Sequence, residues 1–185
     1  MLLIRNATIH DIDEIYNIEC ETYSTHHWSK KSFISELTNE YSKYLVCELE
    51  SEINRIIGFA GYWIVGNEGH ITTMAVRPLN RKKGVADILL YNLIQTAIHN
   101  NIKWLTLEVR ISNYPAIALY SKYQFKQLGI RKNYYQDNNE DALILWTDDL
   151  TKPEYSNFLI SVLTQIKQKI GATDKSQYID CRNKA

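Results

Sequence analysis

The run Arg81-Lys82-Lys83-Gly84-Val85-Ala86 sits between an apolar strand pattern and a helical one. Gly84 and Ala86 are small enough to let the backbone pass close to a ligand. The first amides of the helix that follows have no intrahelical acceptor and carry a partial positive charge. That combination suits a phosphate. Read alone, the run is also an ordinary helix entry after a basic loop. Asp87 adds a conflict, since an anion in the first turn favours the helix dipole but opposes a bound phosphate. His26 and His27 have no companion cluster that suggests a metal. Cys20, Cys47 and Cys181 are odd in number and form no CxxC pair, so neither a thiolate metal site nor a disulfide framework is expected.

Several elements must surround that turn. Residues 2–5 are a short apolar run, and Thr8 with Asp11 makes a capping box for a helix to about Cys20, with Ile12, Ile15 and Ile18/Glu19 on one stripe. An aromatic loop over 22–28 ends at Ser29, which can cap a second helix carrying Phe33, Ile34 and Leu37. Alternating or continuous apolar runs over 44–49, 56–65 and 70–76 predict an antiparallel meander. From Gly84 the apolar period becomes helical until Asn100-Asn101, and 104–109 reads as a buried strand. This strand-helix-strand unit implies a parallel pair inside a mixed sheet. Pro115 suits the first turn of a helix over 116–123, and 125–135 with 142–147 form a closing hairpin. Beyond Pro153 an amphipathic helix runs to Ile170, followed by a polar tail from Gly171. Two segments follow from this layout, a domain over 1–150 and an extension over 151–185.

At 185 residues the chain fits one domain with a modest extension. Basic and acidic residues number 21 each, so no global field favours nucleic acid or an anionic membrane, and charge selectivity must be local. Thirteen tyrosines against four phenylalanines suit recognition of a peptide or small molecule. No stretch approaches the roughly 20 apolar residues that span a bilayer. A soluble, reducing, intracellular setting is the expectation: cytoplasm, or plastid stroma given the abundant Ile, Asn, Lys and Tyr.

Three spaced motifs occur in order: Met74-Ala75-Val76-Arg77-Pro78, then Arg81-x-x-Gly84-x-Ala86, then Asn113-x-x-Ala116-x-x-Leu119-Tyr120. They resemble the GCN5-related N-acetyltransferases. Within that superfamily, Leu107-Glu108-Val109-Arg110-Ile111-Ser112-Asn113, Asn133-Tyr134-Tyr135 and Glu140-Asp141-Ala142 look like the RimI type, which acetylates the N-terminal alanine of a small-subunit ribosomal protein. The resemblance covers about 3–146, and the runs at 134–137 and 142–146 look cyanobacterial or plastid-like.

The resemblance implies an α/β (or α+β) fold, a mixed sheet of about six to seven strands flanked by helices, with the C-terminal helix added. It implies acetyl-CoA as cosubstrate and no metal. The backbone of Met74, Ala75 and Val76 would pair with the pantetheine arm, and Arg81, Lys82, Lys83, Gly84, Val85, Ala86 and Asp87 would surround the pyrophosphate. Asn113 would orient the pantetheine, or simply cap the local helix. An N-terminal ammonium has a pKa of about 8, so its deprotonation needs only modest help. Glu108 matches the family's base; pairing with Arg110 or a nearby Lys is the competing role. Tyr120 matches the acid that protonates the leaving thiolate, against a packing role on a short helix. Trp28 with Tyr134 and Tyr135 would flank the peptide. His26 and His27 stand where many relatives carry Phe-Pro, so contact to the first peptide residues differs.

The implied acceptor is a protein N-terminus on a ribosomal protein, met by a monomer or weak dimer. Alternatives are a lysine side chain, a polyamine or another small amine as acceptor, or a non-catalytic coenzyme A-binding module using the last helix to dock a partner.

Overall fold

The computed structural model describes residues 2–23, 27–49 and 55–173. His26 and the tail beyond Thr173 lie outside them, as does the side chain of Ile170. The chain runs β1 (Leu2–Asn6), α1 (Ile12–Thr22), α2 (Lys30–Thr38), β2 (Ser42–Leu49), β3 (Arg55–Val65), β4 (Glu68–Val76), α3 (Val85–His99), β5 (Trp104–Arg110), α4 (Tyr114–Lys122), β6 (Lys126–Tyr135), β7 (Glu140–Trp146) and α5 (Pro153–Thr173). The apolar run at the start is thus a strand. The first helix begins later than the capping pattern suggests, because Ile9–Asp11 form a separate 3-10 turn in which the Asp11 carboxylate accepts the Thr8 amide at 2.7 Å. Ser29 caps α2 through the Ser32 amide at 3.1 Å.

The seven strands form one sheet in the order β1-β2-β3-β4-β5-β7-β6. All neighbours are antiparallel except β4 and β5, which α3 connects in parallel. Alternation along the strands divides the core. Leu45, Cys47 and Ala60 face α3 and α5, while Tyr44, Val46 and Phe59 face Ile15, Ile18 and Phe33 of α1 and α2. The helices therefore cover both faces. Gly58 lets α3 approach β3 closely, since a Cβ there would lie 3.0 Å from both Leu89 Cδ1 and the Ala75 carbonyl. Tyr155, Leu159, Val162 and Ile166 bury the inner stripe of α5 in the same core, on the order of 2 kcal/mol each before the cost of ordering.

Arg77 locks α1 to the end of β4. Its buried guanidinium donates to the Ile56 carbonyl at 2.9 Å, to Glu14 at 2.8 Å and to Glu21. Among the described residues, no helix is long and apolar enough to cross a membrane.

Candidate active site

Pairing between β4 and β5 covers only Glu68↔Trp104, Gly69↔Leu105 and His70↔Thr106. A bulge follows at once. Gly61 faces Thr73 and Tyr62 faces Ile71, so Thr72 is the extra residue in β4, where its hydroxyl meets the Tyr44 hydroxyl at 3.0 Å. A bulge bends and twists its strand. Here β4 leaves β5 beyond it, opening a cleft of about 550 Å³ between 71–74 and 107–110. On this side the backbone of β4 from Ile71 to Val76 has lost its β5 partner, while β3 still pairs with it.

Glu108, Asn113, Tyr120, Trp28 and Tyr135 all line this cleft. The Glu108 carboxylate lies 3.2 Å from the half-exposed Arg131 guanidinium. Arg110, two residues along the same strand, is committed elsewhere. It donates to Asp137 at 2.8 and 2.9 Å, Asn138 at 3.0 Å and Glu140 at 3.1 Å, across the tip of the β6–β7 hairpin. Tyr120 is 7% exposed, and burial, reinforced by the Tyr23 and Tyr135 phenols, pushes its pKa well above the usual range. The same desolvation pushes Tyr135 up to about 12. Tyr23 also reaches about 12, because burial of its hydroxyl end, with Glu19 and Tyr135 nearby, disfavours the phenolate even though 36% of the residue's surface stays exposed. That hydroxyl donates to the Met74 carbonyl at 3.1 Å. Three protonated phenols thus share one space.

The basic turn lies past the end of β4. Arg81 Nε donates to the Val76 carbonyl at 3.1 Å, Lys82 has φ 61° and Gly84 has φ 85°. Left-handed residues alternating with others before a helix turn backbone amides toward a common point, a shape suited to anions. Asp87 does not stand open at this turn. Its carboxylate pairs with Lys122 and its carbonyl accepts the Tyr123 hydroxyl at 2.7 Å, tying α3 to α4. The charge that opposes a phosphate is therefore compensated. Asn113 does cap α4, accepting the Ala116 amide at 3.3 Å, while its side of the residue also faces the cleft.

The residues expected to flank the peptide divide. Trp28 packs on Phe33 with ring centres 5.6 Å apart and reaches the cleft. Tyr134 is 42% exposed, lies outside the cleft lining and stacks edge-on against Tyr135. His27 meets the edge of the Tyr16 ring at 5.7 Å. Among the described residues, no group of three or more His, Cys, Asp or Glu could hold a metal ion.

Sequence reasoning missed Glu19, Thr22, Tyr23 and Arg131. Glu19 left a signal, a carboxylate inside an apolar stripe, and it is 2% exposed with its desolvated carboxyl pushed above the usual range. Arg131 left none, because its nearness to Glu108 depends on the shifted register of β6 against β7.

Comparison with known proteins agrees with this geometry. Residues 11–125 match the model of the acetyltransferase (GNAT) family. A Bacillus subtilis protein, named provisionally as a ribosomal protein bS18-alanine N-acetyltransferase, is 41% identical over 144 residues, covering 77% of this chain and 93% of its own. The Escherichia coli protein of that name is 35% identical over 137 residues, covering 73% and 89%. Its crystal structure superposes with a TM-score of 0.73 at 32% identity, covering 80% of this chain and 93% of that one. With the family model matching more than half of its length, the chain belongs to the GNAT acetyltransferases.

Proposed function

We propose that the protein transfers an acetyl group from acetyl-CoA to the N-terminal α-amine of a protein, an alanine on a small-subunit ribosomal protein. The observation that carries this reading is the gap opened between β4 and β5 beyond His70 and Thr106, with Glu108 and Tyr120 both on its lining. Relatives named for ribosomal-protein alanine acetylation support the choice of acceptor. The fit to acetyl-CoA rests on unpaired β4 backbone beside a turn shaped for a pyrophosphate.

Acetyl-CoA, when bound, supplies an acetyl thioester. Backbone groups of Met74, Ala75 and Val76 would hold its amide-bearing arm as an added strand would, and orient an amide toward the thioester carbonyl. The turn from Arg81 to Asp87 would hold the pyrophosphate mainly through the main chain, with Lys82 and Lys83 adding attraction. Glu108 accepts the proton of the incoming ammonium, directly or through water. The amine nitrogen then bonds to the acetyl carbon as the carbon–sulfur bond breaks. Tyr120, held protonated by burial, gives its proton to the departing sulfur and regains one from the acylated nitrogen, which leaves a neutral amide and a free thiol. Asn113 orients the same arm while capping α4. A ribosomal acceptor implies a compartment with ribosomes, the cytoplasm or a plastid stroma.

Coenzyme A release with a peptide bearing a free N-terminal alanine, compared with an α-blocked lysine peptide and spermidine, tests the reading. The alanine peptide is expected to win in kcat/KM by about tenfold or more, a difference of at least 1.4 kcal/mol. Equal turnover of the other amines overturns it.

A further inference from the structure

Acetyl transfer uses Glu108 and Tyr120 but leaves two buried polar atoms on α1 without a role. Glu19 and Thr22 both line the cleft, and Glu19 is 2% exposed. Glu19 Oε1 accepts the Trp28 amide at 3.1 Å. Its Oε2 has no hydrogen-bond partner, and neither does Thr22 Oγ1. A spacing of three on a helix sets the two side chains on one face. Among the described residues, the titratable groups acting with Glu19 are His27 on the following loop, Tyr23 just past α1 and Tyr44 on β2, and no Lys or Arg is among them. A desolvated carboxylate without a cation costs free energy, and a buried acceptor left unsatisfied calls for a ligand that satisfies it.

We propose that Glu19 and Thr22 are the acceptor-side positioning pair of the proposed reaction, receiving the peptide's α-ammonium before Glu108 takes its proton and so selecting unblocked amino termini. An ammonium brings a full charge and three donors. It satisfies Oε2 and Oγ1 together and keeps a third proton for the base. A backbone amide or a blocked terminus brings one donor and no charge. The Glu19 bond to the Trp28 amide couples amine recognition to the loop that carries Trp28. The inference rests on the acetyl-transfer reading, so its test is one that needs no turnover.

Calorimetric binding of a free N-terminal alanine peptide and its N-acetylated counterpart to the full chain, with coenzyme A present, provides that test. Glu19→Gln can still accept the Trp28 amide but carries no charge. The free peptide is expected to bind about tenfold to a hundredfold more weakly at pH 7, the loss of a charged hydrogen bond. Because the amine titrates near pH 8, that deficit shrinks to about twofold to tenfold by pH 9. The N-acetylated peptide is expected to shift by less than about twofold. Thr22→Val shows the same pattern at roughly threefold amplitude, as for a neutral hydrogen bond, and carries the test if Glu19→Gln fails to fold. Equal weakening of both peptides, a deficit independent of pH, or no change overturns the proposal. Failure of the wild-type protein to acetylate the alanine peptide counts against the reaction alone, because the binding ratios are read without it.

Discussion

The Arg110 guanidinium lies 3.8 Å from the centre of the Tyr135 ring. The same group holds Asp137, Asn138 and Glu140, so one side chain of β5 fixes the tip of the hairpin and the aromatic wall it carries. Arg110→Ala removes the stack and both ion pairs. The pairs are partly exposed, so the combined loss is about 1–2 kcal/mol and Tm falls by roughly 2–6 °C. Peptide KM is expected to rise about tenfold with acetyl-CoA KM unchanged if the wall borders the acceptor as the proposed reaction has it. Arg110→Lys keeps the charge but loses the planar stack and the fork, and so recovers only part. Unchanged peptide KM in the Ala variant would show that the clamp does not order the acceptor side.

The same hairpin gives a pH signature. Glu140 is lowered to about 2, first by its hydrogen bonds from Ser112, whose amide donates at 2.9 Å, then by Asn138 and Arg110. A carboxyl whose folded pKa is depressed stabilises fully above its unfolded value, about 4.3, and loses that contribution as pH falls toward the folded value. The window is therefore pH 4.3 down to about 2. Thermal melts of wild type and Glu140→Gln should differ at pH 6 and converge as pH falls through that window. A constant gap would mean the carboxylate's charge is not what matters.

Much of this was legible before any coordinates. The change from strand period to helix period at Gly84, and back at Trp104, gives the α3 crossover and with it the parallel β4–β5 pair. The basic turn stands out from its position between the two periods, whereas Glu108, Asn113 and Tyr120 stand out only through the resemblance of their motifs to the family's. What was not legible depends on register and long-range packing. A single extra residue at Thr72 accompanies the parting of β4 from β5, and nothing in the residue itself marks a bulge. Glu108 and Arg110 share a face by their spacing of two, which made them natural partners. The acids of the hairpin tip, 27 to 30 residues further on, take Arg110 instead and leave Glu108 to Arg131.

Asp87 gives a prediction that separates packing from cofactor contact. Its carboxylate is engaged by Lys122 between α3 and α4. Asp87→Asn is expected to cost about 1–2 kcal/mol through the weakened charged bond, and to leave acetyl-CoA affinity within about twofold. Gly84→Ala is expected to do the reverse in emphasis. Its φ of 85° is strained for any side chain, and distortion of the turn should weaken acetyl-CoA binding by about fivefold or more. Matching effects of the two variants on cofactor binding would place Asp87 at the phosphate after all.

Glu108 and Arg131 test the base. Glu108→Gln is expected to lower kcat about 10²–10⁴-fold with little change in acetyl-CoA binding, as for removal of a general base. Arg131→Ala removes a half-exposed partner at 3.2 Å, and an exposed ion pair contributes only about 0–1 kcal/mol. Its kcat is therefore expected to stay within about threefold of wild type. A loss as deep as that of Glu108→Gln would make the Glu108–Arg131 pair, rather than the carboxylate alone, the working unit.

Tyr120 tests the acid, and burial makes the outcome specific. A free phenol titrates near 10, whereas desolvation pushes Tyr120 higher, so it keeps its proton throughout the range where the acceptor amine is neutral. In the wild-type protein, kcat should stay level from about pH 8 to pH 10, without the decline that an ordinary tyrosine acid would impose. Tyr120→Phe removes the hydroxyl and keeps the ring against Phe125, whose centre lies 5.4 Å away. Melting temperature should barely change, and acetyl-CoA KM should be unaffected. The rate kcat should fall about 10–100-fold at every pH, in line with loss of one proton donor. A variant as fast as wild type would reduce Tyr120 to a packing residue and leave solvent as the source of the thiol proton.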